Sequence, residues 1–172
     1  MPQYTALTVA NTFIGLAKSE GWALTNMQVQ KLVFLAHGFH MAHPWFKREA
    51  LVSEPVEAWR WGPVFPSLYT KLKEFGGQPI REPIPAKRGE QPSAVPDTDP
   101  AYALIKAVWK AYGKFNGIQL SRMTHLPGSP WQQVWDFIPR GIIPNELISN
   151  YYEGLTSKNV SKAAAITTAV AA

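Results

Sequence analysis

A chain of 172 residues, 46% hydrophobic and 17% charged, is long enough to bury one substantial core and has the composition of a globular domain. It has no cysteine, which excludes disulfides and thiolate metal sites, and its formal charge of +5 (pI near 9.5) is spread along the chain without any block of like charge, so no nucleic-acid footprint stands out. The start, MPQYTALTVANTF, lacks the basic and apolar regions of a secretory signal and no apolar stretch approaches a membrane span, so a cytoplasmic protein is expected.

Leu7, Ala10, Phe13, Ile14 and Ala17 recur at three and four residues and predict a first helix over 6–19, with Gly21 available to end it. Thr25 to Gln28 reads as a capping box. The helix it opens is apolar over most of its circumference from Leu32 to Ala36, which places it at the centre of the core. Residues 49–60 lose helical periodicity and predict a short β-hairpin. Trp61-Gly62-Pro63 reads as a tight turn, with Pro63 in the first turn of a helix carried by Val64, Leu68, Leu72 and Phe75.

Residues 77–100 hold six of the fifteen prolines and predict a long exposed loop. Asp97 or Thr98 then caps a helix with Pro100 in its first turn and Leu104, Ile105, Val108, Trp109 and Tyr112 on its buried face. Asn116 opens a shorter helix, Ser129-Pro130-Trp131-Gln132 caps another, and Pro144 begins the last. From Ser157 the chain turns small and weakly patterned, and segment 156–172 is read as a flexible tail.

The residues that could carry chemistry are few. His37, His40 and His43 are spaced by three, but no carboxylate stands at ligand spacing, so no metal site is assigned. Glu54 and Glu57 sit in an extended region where side chains alternate faces, which separates rather than pairs them. Ser121 and His125 share a helical face, yet neither a third orienting group nor a glycine elbow accompanies them. Phosphate-binding glycine loops are absent, a helix–turn–helix over 25–48 would lack base-reading side chains, and neither a cofactor nor an enzymatic role is expected.

Two segments stand out instead: EPVEAWRWGPVFPSLYTKL at 54–72 and LSRMTHLPGSPWQQVW at 120–135. Each joins Trp, Pro and Gly to a helix start. With QKLVFLAHGFHMA at 30–42 before them, their order resembles the Panacea domain family of GepA-type and SocA-type antitoxins and phage-associated proteins, to about residue 153. The residues carrying the likeness are Ala58, Trp59, Gly62, Pro63 and Val64 in the first segment, and Leu120, Ser121, Thr124, His125, Pro130 and Trp131 in the second. The resemblance implies a non-enzymatic antitoxin that binds and neutralises a cognate protein toxin; the alternative is a proteolytic adaptor or phage/host interaction protein that delivers a bound partner to a protease such as ClpXP.

The expected architecture is mainly α (α+β), with about six helices, a short hairpin near 49–60, a domain over 1–155 and the tail beyond it. Trp45, Phe46, Trp61 and Phe65 lie in or beside loops and are candidate partner anchors, while Trp59 and Trp131 are read as core plugs. The terminal Val170, Ala171 and Ala172 resemble a small apolar degradation signal.

Overall fold

The computed structural model describes residues 3–158 and 161–171 and, among them, eight α-helices and one two-stranded antiparallel sheet. The order is α1 (Ala6–Ser19), α2 (Asn26–Ala42), β1 (Glu57–Trp59), β2 (Gly62–Val64), α3 (Pro66–Leu72), α4 (Pro100–Tyr112), α5 (Gly117–Thr124), α6 (Pro130–Trp135), α7 (Asn145–Ser157) and α8 (Ser161–Ala171). The mainly helical class is as expected.

Local chemistry sets the helix starts. The amide of Gln28 donates to Thr25 Oγ1 at 3.4 Å while the amide of Thr25 donates to Gln28 Oε1 at 2.8 Å, so both halves of the capping box at α2 are made. Asn116 and Gln119 form a second box at α5. At α6 the amide of Gln132 donates to Ser129 Oγ, but the Gln132 side chain reaches past the cap to the amide of Gly128. The cap of α4 is Asp99, one or two residues later than expected, because its carboxylate accepts the Ala101 amide at 2.8 Å with Pro100 at the first helical position.

Helix α2 is the axis of the molecule. Every residue from Val29 to Ala42 is buried, and α1, α4, α5 and α7 pack around it. Phe34 and Phe39 meet Tyr152 of α7 edge-on at 6.0 and 4.9 Å between ring centroids. Gly38 permits this approach, since a Cβ there would stand 2.4 Å from the Tyr152 ring. Each fully buried large apolar side chain contributes roughly 1.5–3 kcal/mol.

The proline-rich loop is exposed but tied down. Asn11 of α1 donates to the carbonyls of Ile84 and Ser93 at 2.8 and 2.9 Å and accepts the Ile84 amide at 2.8 Å, while Thr12 Oγ1 accepts the Val95 amide. These bonds satisfy loop backbone that a helix or sheet would otherwise serve.

Three expectations change. The hairpin lies at 57–64 rather than 49–60, because Leu51–Ser53 pairs instead with Tyr4 at the start of the chain. Pro63 therefore belongs to β2, and Pro66, three residues later, takes the first position of α3. Last, the C-terminal segment read as a flexible tail is helical: α7 runs through Ser157 and α8 follows, with Ala163 and Ile166 buried against the α4 side of the core. Small side chains let α8 approach closely, and Lys162 Nζ, 3.9 Å from the Phe115 ring centroid, donates to the Ala111 carbonyl at the end of α4.

Candidate functional site

The two sequence segments that stood apart in the chain meet in space. A two-residue turn, Arg60–Trp61, joins β1 to β2, with Trp59 paired to Gly62. So short a ribbon has little stability of its own. Its backbone carbonyls are instead held one after another by side chains of three helices. Trp131 Nε1 donates to the Trp59 carbonyl at 2.6 Å, His125 Nε2 lies 3.3 Å from that of Arg60, and Ser121 Oγ donates to that of Trp61 at 2.7 Å. Lys31 Nζ donates to the Pro63 carbonyl at 3.0 Å, and Gln30 makes a two-way amide pair with Phe65, accepting its N–H at 3.0 Å and donating to its carbonyl at 3.3 Å. On the outer edge, residues 140–143 add backbone bonds to Val56 and Ala58.

This assigns a role to most of the residues that carry the family likeness. Trp131 and Ser121 are donors to the turn, and Thr124, bonded to the Ser121 carbonyl at 2.7 Å, packs against Gly62. Pro130, buried at the first position of α6, aims Trp131; Pro63 and Val64 are buried in β2. Trp59 is half-buried rather than a core plug: its indole N–H donates to Glu57, its face receives Arg140 at 4.1 Å, and its edge meets Tyr69. Trp131, in contrast, is buried as expected.

Lys31 and Gln30 belong to this candidate site and are not among the residues singled out from the sequence. The available signal was a lone charge inside the apolar run QKLVFLA. Lys31 is only 1% exposed, and burial without a carboxylate partner lowers its amine from 10.5 to about 7. Between those values the unfolded chain holds a proton that the folded chain has released, so stability rises with pH. We expect a gain of about 2 kcal/mol between pH 7 and 9, measured from urea midpoints, and its disappearance in Lys31→Met. A slope that persists in the variant would rule out Lys31 as its source.

Beside Lys31 a cavity of about 840 Å³ opens between α2, the hairpin turn and the start of α5, and Trp59, Trp61 and Trp135 line it.

The candidate anchors divide. Trp45 and Trp61 are exposed, at 58% and 61%. Phe46 and Phe65 are fully buried and are not available to a partner: Phe46 stacks on His40 at 3.8 Å, and Phe65 packs edge-on against His37. Loop position was a poor guide to their exposure, because both loops fold back onto α2. Exposed apolar residues absent from the expected set lie in the segment that edges β1, namely Phe137 (84% exposed), Ile138 and Ile142. Of the candidate degradation signal, Val170 packs against the core, the Ala171 side chain is not among the described residues, and Ala172 lies outside them.

The other residues considered for chemistry have structural partners. His37 accepts the Val52 amide through Nδ1 and faces Asn145 Oδ1 through Nε2, and His40 Nδ1 donates to the Glu49 carbonyl. His43 Nδ1 accepts the Trp45 amide. No group of three metal-ligating side chains converges among the described residues. Glu54 accepts the Ala6 amide at the start of α1, and Glu57 accepts from Trp59. Ser121 Oγ is 3.4 Å from His125 Nδ1, but its proton is committed to the Trp61 carbonyl, and the same ring nitrogen lies closer, at 2.5 Å, to the Ser121 carbonyl. That is a helix-end clamp rather than a nucleophile with its base. No helix among the described residues is long and apolar enough to cross a membrane.

Comparison with known proteins adds an independent line. The sequence profile of the family described as "Antitoxin SocA-like, Panacea domain" matches residues 29–132. That span begins in α2 and ends in α6, so it encloses the hairpin and every helix that clamps it. Antitoxin SocA of Caulobacter vibrioides (strain NA1000 / CB15N) is 28% identical over 134 residues, covering 75% of this chain and 69% of that protein. No solved structure gives a significant match.

Proposed function

The chain belongs to the antitoxin SocA-like Panacea domain family, and from that membership we propose that it is the antitoxin of a toxin–antitoxin pair, neutralising a cognate protein toxin by direct binding through the face around the hairpin turn. The observation that carries the choice of face is the group of large apolar side chains left in solvent there: Trp61 at the turn, and Phe137, Ile138 and Ile142 on the edge segment. Exposed apolar residues on a held frame are what a partner's hot spots need, because little ordering entropy remains to be lost on binding. The task is one of binding, and no chemical step is needed to perform it. Delivery of the partner to a ClpXP-type protease has no comparable feature among the described residues to support it.

Co-expression with the protein encoded beside this chain, scored by growth rescue and co-purification, tests the reading. Failure of the wild-type chain to rescue or bind would count against the antitoxin role itself. Trp61→Ala and Phe137→Asp test the face. Each is expected to weaken binding by about 30-fold or more, on the order of 2 kcal/mol, with an unchanged urea midpoint. Undiminished binding in both variants would move the interface elsewhere.

A further inference from the structure

The cavity beside Lys31 shares Lys31 with the hairpin clamps and Trp61 with the exposed apolar face, but neither of those roles calls for a hollow. Its charged lining residues are Lys31, Arg60 and Arg140, all cationic, and no acidic side chain among the described residues lines it. Arg60 lies over the Trp61 ring at 5.0 Å and Arg140 over Trp59 at 4.1 Å, so these two charges run along the aromatic wall. Lys31 differs: it is interior, and the hydrogen bond the structure shows for its amine goes to the neutral carbonyl of Pro63. An ammonium has three donors, so its pairing capacity is not used up. The volume lies within the roughly 300–1,000 Å³ of small-molecule sites, and the mostly apolar walls with few polar groups are the usual composition of such sites. The walls come from separate segments (α2, the hairpin turn, Gly76–Gly77, the start of α5 and the end of α6), which close around a compact body better than around a peptide running through.

We propose that this cavity binds a free monocarboxylate with a planar apolar body, its carboxylate drawn to the cations around Lys31 and its ring lying against the indoles of Trp59, Trp61 and Trp135. One interior cation calls for one negative charge, and indole walls favour a flat ring. Burial keeps water away from Lys31, so a carboxylate that pairs with the protonated amine gains a partner that water does not screen.

Binding is coupled to a proton. Facing Lys31 are Gly62 and the Pro63 carbonyl from β2, Thr124 from α5, and across the cavity the guanidinium charges of Arg60 and Arg140. With the amine at about 7, a carboxylate bound at higher pH takes up a proton with it. Affinity then falls by up to about tenfold per pH unit above 7.

The test is calorimetric titration of the full chain with 3-phenylpropionate at pH 7 and pH 9, and with its uncharged amide. Saturable one-to-one binding of the acid is expected, about tenfold or more tighter than the amide and weakened at pH 9. Lys31→Met should lose that preference for the acid. Ile118→Glu is the second variant, since Ile118 lines the cavity yet is 61% exposed, and a carboxylate there should repel the ligand without disturbing the fold. Equal binding of acid and amide, or wild-type affinity in Ile118→Glu, would overturn the proposal. So would binding of a capped phenylalanyl-glutamate dipeptide where 3-phenylpropionate does not bind, which would make the cavity a socket for a partner's side chain. The titration uses this chain alone, so its outcome is separate from that of the toxin-binding test.

Discussion

Acidification from pH 7 to pH 5 is expected to lower the stability of the fold by about 3–4 kcal/mol through two histidines of α2. Burial pushes His37 down to about 4, against the opposing hydrogen bond that its Nε2 donates to Asn145 Oδ1. Burial likewise lowers His40 to about 4, with the Glu49 carbonyl acting the other way and neighbouring His37 adding to the depression. In the unfolded chain both rings regain an ordinary value near 6.5. Between about 6.5 and 4 the unfolded chain therefore binds more protons than the folded one, and stability falls as pH falls. Above about 6.5 the contribution is complete. Urea midpoints from pH 7.5 to 4.5 measure it. His40→Asn, whose amide can replace the Nδ1 donor to Glu49, should remove roughly half of the acid slope. A midpoint that holds steady to pH 5 would show that neither ring stays neutral in the folded state, and a slope unaltered in that variant would remove His40 as a source of it.

Gly62→Ala should be the most damaging single-methyl change in the hairpin. The backbone there has φ of +117°, a conformation L residues rarely adopt. The added Cβ would also stand 2.8 Å from Thr124 Oγ1 and 2.9 Å from Lys31 Cε, both held in place by hydrogen bonds. Backbone strain and overpacking, each costing roughly 1–3 kcal/mol, combine to about 2–6 kcal/mol. Gly76→Ala is the control: its φ is also positive, at +55°, but nothing lies within 4 Å of the new methyl. With ψ at −127° it lies outside the left-handed helical region, so the cost should be backbone strain alone, about 1–3 kcal/mol. Comparable thermal midpoints for the two variants would mean that the clamps around Gly62 yield easily and do not position the turn.

Most of the helical framework was legible in the sequence because its signals are local. The Thr25–Gln28 box, the Asn116 cap and the periodic face of α1 each act within one helical turn, and each is found where the sequence predicts it. The hairpin was misplaced because Leu51–Ser53 and Glu57–Val64 are equally extended by composition, and only pairing partners from Tyr4 and from residues 140–143 distinguish them. For the same reason Pro63 and Pro66 were interchangeable as helix starters until the register of β2 claimed Pro63. α8 escaped notice because its docking uses alanine and isoleucine against α4, a weak pattern in one dimension and a close fit in three.

The sequence by itself determined the mainly helical class, the central place of α2 and the two Trp–Pro–Gly segments that mark the family, since propensity, capping and periodicity are written in neighbouring residues. Only the tertiary structure decided what those segments do together. It brought Ser121, His125 and Trp131 onto the carbonyls of Trp59, Arg60 and Trp61, buried Lys31 beneath Pro63, withdrew Phe46 and Phe65 into the core, and left Trp61 and Phe137 in solvent. A buried backbone carbonyl must find a donor wherever the fold supplies one, and that donor can stand tens of residues away, so no local pattern names it.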